Sequence, residues 1–343
     1  MRFLSERGCA CDSIPAAGRG AMQFLPYAAL RHGSPSRIIV HHTGIYESTD
    51  NRVSWMRYGI LVNPRSGRHG RDRKERIVRD VAQRLGGGCL VAGLGTTCSA
   101  ELAEEARRLS GRVDVLVIAG GDGTIADVIN AIDQPVRVGL LPVGSANALA
   151  CALGLPMNVM RATQRIAEGK PRPIDLILCD GSRKAAMTGV GIEADILRRR
   201  EPWLNRRLGS AIPYFLATAG AMRHYVRTDV RITVDGQEHE VPQAISVVVT
   251  KIPSYGFGLK LVPQARLDDG RLHVLTGNMG MFSLGWSLLK AFVVPNRAGR
   301  YLSGSRVVVE CDSPRWLEAD GELCREGTRF EFEVLPGALM IQC

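Results

Sequence analysis

Nothing in this chain of 343 residues is long and apolar enough to span a bilayer. No run approaches the roughly 18 apolar residues that a crossing helix needs. The nearest candidate, Ala211 to Met222, is short and carries Pro213. Aromatic residues make up only 6% and do not interleave with the arginines, so a nucleic-acid binder built on base stacking is disfavoured. The nine cysteines are scattered, odd in number and without a CxxC pair, which fits reduced thiols in a cytoplasm rather than disulfides or a zinc site. The first 55 residues lack periodicity, and no clean apolar stretch follows a basic start, so a secretory signal is not expected. His41-His42 has no further ligand at zinc spacing and reads as a solvated pair. What the chain does have is a hydrophobic content of 45%, ample for a core, and a net charge of +10. That charge suits an anionic partner: a nucleotide, a membrane surface or a nucleic acid.

The organising stretch is Val113 to Thr124. A β-branched apolar run ends in Gly120-Gly121-Asp122-Gly123-Thr124, and apolar positions 125, 128, 129 and 132 then follow a helical period. Strand, glycine loop and helix in that order present a phosphate or nucleotide at the carboxyl end of a strand. A carboxylate in such a loop makes sense if a cation such as Mg²⁺ sits between Asp122 and the phosphates.

Two more strand-to-helix turns carry small or polar residues. Tyr58 to Val62 runs into Asn63-Pro64-Arg65-Ser66-Gly67-Arg68, where Ser66 and exposed amides can face a phosphate and Arg68 can add charge; an ordinary βα turn explains it equally well. Val136 to Leu141 runs into Pro142-Val143-Gly144-Ser145-Ala146-Asn147-Ala148. With a weaker strand at 89–94 and helices over 72–85 and 99–109, the pattern predicts a parallel, doubly wound sheet whose loops meet at one crevice. After about Pro156 the texture becomes β-rich, with Asp-Gly turns at 180, 235, 269 and 320 and helical insertions at 212–225 and 282–291. The expected organisation is an extension over 1–55, poorly ordered or variable, an α/β domain over 56–156 and a β-sandwich over 157–343, whose last residues are free to return to the first domain.

In this order, Asn63-Pro64-Arg65-Ser66-Gly67, Gly120 to Thr124 and Leu141 to Asn147 resemble the diacylglycerol kinase catalytic-domain family. Gly189 to Ala194, Leu267 to Leu272 and Ala319 to Glu322 add to the likeness, which covers about residues 57 to 343. The resemblance implies an ATP-binding α/β domain followed by a β-sandwich that holds lipid, with the active site between them. It implies that Asn63, Pro64, Ser66 and Gly67 lie near the ATP phosphates, that Thr97 contacts nucleotide, and that Gly120 to Thr124 form the phosphate and Mg²⁺ loop. Gly144, Ser145 and Asn147 would line the nucleotide pocket. Asp320 matches the general base, and Glu322 its partner in the Mg²⁺-water network. Asp269 with the carbonyls of Arg266 and Arg271 matches a second, structural Mg²⁺ site. Taken alone, Asp320-Gly321-Glu322 is a plain hairpin turn, and Asp268-Asp269-Gly270 reads as a turn just as well.

The chain departs from the family at Ala148, where many members carry a carboxylate. The Ser-x-Asn-Ala-Leu-Ala form is that of the sphingosine kinase branch. Asp195 falls where that branch places an acidic residue near the sphingoid head group, although an Asp capping a basic helix fits it better. The acceptor stays open between a diacylglycerol-type and a sphingoid lipid. The stretch Arg198 to Arg207, five arginines with Trp203 and Leu204, either rests on an anionic leaflet or is a solvated basic face. A cytoplasmic protein in peripheral contact with membrane follows, and a homodimer is left open. The competing readings are a NAD kinase, whose further motif is missing here, and a nucleotide- or lipid-binding protein without turnover, motivated by Ala148.

Overall fold

Runs that are apolar at every position, rather than alternately, form strands covered on both faces. Such runs build the first sheet of this computed structural model. It describes residues 45–47, 53–67, 70–199, 211–254, 258–278 and 298–343, with scattered positions between 280 and 296. His41-His42, Arg68, the 200–207 part of the arginine-rich stretch and half of 282–291 lie outside the described residues. Within the stretch expected to be loose, β1 (Ile45–Glu47) and β2 (Val53–Trp55) pair as a short antiparallel hairpin.

The first sheet contains β3 (Tyr58–Val62), β4 (Leu90–Ala92), β5 (Val115–Gly120) and β6 (Arg137–Pro142), all parallel, in the order β4-β3-β5-β6. Helices α1 (Arg71–Arg84), α2 (Ser99–Ser110) and α3 (Asp122–Ala131) connect them. A short α4 (Ala148–Ala152) and α5 (Val159–Glu168) follow β6. Val78 and Val81 of α1 and Ala162 and Ile166 of α5 pack with Ile60, Val115 and Val117 on one face. On the other, Leu102 and Leu109 of α2 and Val128 of α3 pack with Leu61, Leu116 and Ile118. Each fully buried aliphatic side chain contributes about 1.5–3 kcal/mol. The sheet is doubly wound as expected. Helix α5 lies beyond residue 156 yet packs on this sheet, with Ile166 closing over Gly139.

The second domain contains β7 (Pro171–Cys179), β8 (Arg183–Ala185), β9 (Met187–Gly191), α6 (Ile192–Arg199), α7 (Ala211–His224), β10 (Thr228–Val234), β11 (Gln237–Ala244) and β12 (Ser246–Thr250). It continues with β13 (Leu272–Gly277), β14 (Arg300–Gly304), β15 (Arg306–Ala319) and β16 (Glu322–Gln342). These strands pair antiparallel with one another. β15 pairs with β10 over Val307–Cys311 and with β9 over Leu317–Ala319, the register shifting between Glu310 and Arg315. That irregularity lets one strand serve both layers of the sandwich-like core, where Ile232, Val249, Val309, Phe330 and Phe332 meet. β16 shifts register between Leu335 and Leu339, and its Met340 and Ile341 then pair parallel with Arg137 and Val138 of β6. The last strand therefore belongs to both domains.

Candidate active site

Three loops at the carboxyl ends of β3, β5 and β6 converge. Gly67 has φ +66, and a Cβ there would strike the Val143 carbonyl oxygen; a Cβ on Gly144 would run into the Gly121 Cα. Only residues without side chains let these backbones approach so closely. Side chains lock the rest. Asn63 Nδ2 donates to Thr124 Oγ1 at 2.8 Å, while Asn63 Oδ1 accepts the Arg65 amide at 2.8 Å. Ser66 turns its hydroxyl inward onto the Asn63 carbonyl at 3.1 Å. The buried Lys74, whose place on a charged helix hides its role in the sequence, donates to the carbonyls of Asn63 and Pro64 at 3.2 and 2.5 Å. Asn147, at φ 50, closes the third loop on itself through both the amide and the carbonyl of Gly144 at 3.0 Å. Ser145 is exposed.

Helix α3 starts at Asp122, three residues earlier than the apolar period suggests, so Asp122, Gly123 and Thr124 form its first turn. The Asp122 carboxylate reaches across to α4 and accepts the Leu149 amide at 3.3 Å. Burial pushes this carboxyl above its usual range, and the amides of Leu149, Ala148 and Asn147 pull it back.

Asp320 arrives from the second domain on the tight turn between β15 and β16, with φ 49 followed by Gly321 at φ 85, as a type I′ hairpin requires. Its carboxylate accepts the amides of Ala186 at 3.2 and 3.1 Å and of Met187 at 3.0 Å. It keeps partial access to solvent, yet burial pushes it up to about 7. The amides and Arg183 oppose the rise, and the charge of Asp122 adds to it. The two aspartates, one from each domain, are therefore close enough for the charge of one to act on the other. Glu322 is more exposed and pairs with Arg183 Nη2 at 3.0 Å. Asp127, on α3 and unremarked in the sequence, is pushed up to about 6 by burial and then by Glu322, with Arg183 opposing. An acidic residue five positions after Asp122 on the same helix was the available signal.

The other expected site residues are placed as follows. Thr97 is exposed at the rim, its amide and hydroxyl both given to Glu101 at 2.7 and 3.0 Å, and its carbonyl takes Arg65 Nη1 at 2.7 Å. Asp195 accepts from Arg199 Nε at 2.7 Å, one turn along α6, so its charge is matched within its own helix. The neighbouring Glu193 instead turns toward the core: Oε1 accepts the Ser246 hydroxyl, Oε2 is buried without a hydrogen-bond partner, and burial pushes the carboxyl up to about 7. At the expected structural Mg²⁺ site the residues do not fit a free divalent ion, because the Lys251 ammonium already takes Asp269 Oδ1 and the Arg271 carbonyl, each at 2.6 Å. Arg266 contributes its amide, which donates to His273 Nε2 at 3.2 Å.

Convergent glycine loops on a doubly wound sheet, joined to a sandwich domain, define a two-domain α/β plus β-sandwich architecture. Residues 57–179 match the model of the diacylglycerol kinase catalytic domain, and residues 186–343 that of the YegS C-terminal NAD kinase beta sandwich-like domain. A diacylglycerol kinase of Bacillus subtilis is 27% identical over 272 residues, covering 77% of this chain and 88% of that protein. The probable lipid kinase YegS of Salmonella typhimurium is 30% identical over 247 residues, covering 69% and 79%. A diacylglycerol kinase structure from Bacillus anthracis superposes with a TM-score of 0.68 at 20% identity, covering 84% of this chain and 96% of that one. The chain belongs to the diacylglycerol kinase catalytic-domain family.

Proposed function

We propose that the chain is an ATP- and Mg²⁺-dependent lipid kinase that phosphorylates a hydroxyl of a diacylglycerol-type acceptor. The observation that carries this reading is the electrostatic approach of Asp122 and Asp320, one from each domain, next to the first turn of α3, whose leading amides suit phosphates. Among the described residues no three acidic, histidine or cysteine side chains form a metal cage of their own. That suits Mg²⁺, which is commonly held by one or two carboxylates together with substrate phosphates. Asp122 and Glu322 would hold it, and Asp127 would supply the carboxylate missing at Ala148. When bound, the ion neutralises charge on the phosphates.

Asp320 accepts the proton of the lipid hydroxyl as its oxygen attacks the γ-phosphorus. The bond to the bridging oxygen breaks, and ADP leaves. A carboxyl near 7 is a competent base at neutral pH. The pairing of Asp195 with Arg199 leaves no spare anion there for a sphingoid ammonium, which favours the diacylglycerol-type acceptor.

Access to lipid would be from the surface, since no helix among the described residues is long and apolar enough to cross a membrane. Two arginines of the basic stretch are engaged, Arg198 over the Trp316 ring and Arg199 with Asp195. Exposed Trp286, Val293 and Val294, with Lys290 beside Trp286, are the better contact for an anionic leaflet. Labelled ATP offered with diacylglycerol, monoacylglycerol, sphingosine, ceramide, phosphatidylglycerol and NAD tests the reading. Transfer to diacylglycerol is expected, with a loss of about 10²–10⁴-fold in Asp320→Asn. Label on NAD alone, or near-normal turnover in that variant, overturns it.

A further inference from the structure

We propose that the Lys251 ammonium is a built-in replacement for the second, structural divalent cation, so that the second domain holds its shape without metal. Lys251 follows β12 and is wholly inaccessible to solvent. Its Nζ lies 2.6 Å from Asp269 Oδ1, 2.6 Å from the Arg271 carbonyl oxygen and 3.0 Å from Asp175 Oδ2. An ammonium has three N–H donors, and here each has one oxygen. Two carboxylates and a carbonyl are the hard oxygen set that Mg²⁺ or Ca²⁺ takes. An ion bound to Asp269 Oδ1 and the Arg271 carbonyl would have to occupy the space that Nζ fills.

The surrounding groups complete the anion side without a second cation. Asp175 Oδ2 also accepts the Gly270 amide at 2.8 Å, and Asp175 Oδ1 the Gly337 amide at 3.0 Å. Asp269 Oδ1 accepts the Arg271 amide at 3.1 Å, and Oδ2 lies 3.0 Å from His273 Nε2. His273 Nδ1 shares a hydrogen bond with Tyr301 Oη at 2.7 Å, which fixes the ring beside Asp269.

The position gives this a consequence. Asp175 is on β7, Asp269 to Arg271 lead into β13, and Gly337 lies in the register shift where β16 crosses from one domain to the other. The lysine therefore pins the crossover. Chelation would leave the architecture intact, and any metal requirement would belong to the nucleotide.

The test reads melting temperature and bound metal rather than turnover, so it stands apart from the kinase reading. Wild-type protein is stripped with EDTA and titrated with Mg²⁺ and Ca²⁺ without nucleotide, alongside Asp269→Asn. The expected result is that neither chelation nor added metal moves the wild-type melting temperature. A drop on chelation that metal restores in the wild type but not in Asp269→Asn overturns the proposal. Lys251→Met takes the ammonium from the buried Asp175 carboxylate and the part-exposed Asp269 carboxylate and should melt several degrees lower. Its melting temperature should then rise saturably with Mg²⁺ or Ca²⁺, and no response to metal counts against the substitution. Should Lys251→Met fail to fold, Mn²⁺ counted by electron paramagnetic resonance on the wild type with a non-hydrolysable ATP analogue decides. A bound ion that disappears in Asp269→Asn overturns the proposal, and an unchanged count supports it.

Discussion

Asn63 and Thr124 are 61 residues apart in sequence, and a 2.8 Å hydrogen bond joins their side chains at the ends of adjacent parallel strands. Thr124 is buried, so removing the donor leaves its hydroxyl wanting a partner. Asn63→Leu should cost about 1–3 kcal/mol in urea unfolding. Because the bond sets the spacing of two loops proposed to face the phosphates, the KM for ATP should rise more than kcat falls.

Two glycines separate packing from ligand contact. Gly144→Ala drives a methyl into the backbone of Gly121 and should destabilise by about 1–3 kcal/mol. Gly123→Ala meets nothing within 4 Å in the first turn of α3, and should leave the fold as stable or up to about 1 kcal/mol more so. A loss of ATP affinity in Gly123→Ala, read by calorimetry, would then report phosphate contact alone.

Asp127→Asn should lower kcat by on the order of tenfold or more, about 1.4 kcal/mol of transition-state stabilisation. Its thermal melt should hold or rise, since the wild-type carboxyl is already pushed up by burial and by Glu322. An unchanged kcat would remove Asp127 from the metal network.

Glu193 predicts the direction of a pH effect on stability. Its folded pKa of about 7 exceeds the unfolded value of 4.5, so the native state holds the proton more tightly. Stability therefore falls as pH rises from about 4.5 to 7 and is level above that. The groups facing it are Ser246, Tyr225 and, across Gly189, Glu318. Glu193→Gln should abolish this dependence. The variant should match the wild type near pH 4.5 and exceed it at pH 8 by roughly 2 kcal/mol, read by circular dichroism melts.

Much of the first domain was legible because β5 is apolar throughout and ends in Gly120, and the largely apolar β3 and β6 beside it break at Pro64 and Pro142. The second domain was harder. β11 does not read as a strand, because Gln237-Glu238-His239-Glu240 is polar and Pro242 breaks the pattern; among the described residues it pairs with β10 alone, so its outer edge needs no apolar face. The span of β16 was invisible because pairing, not composition, carries it through Pro336-Gly337. Lys251 was legible in part: a lone lysine after Val247-Val248-Val249-Thr250 and a lone aspartate within Ile174-Asp175-Leu176 each interrupt a buried strand pattern. Only three dimensions reveal that they interrupt it together.

Met340 and Ile341 lie beside β6 in the nucleotide-type sheet, nearly 200 residues after that strand. During translation the sheet would wait, one edge uncovered, until residue 341 had left the ribosome. A nascent chain stalled anywhere in the sandwich should therefore be a client of holding chaperones.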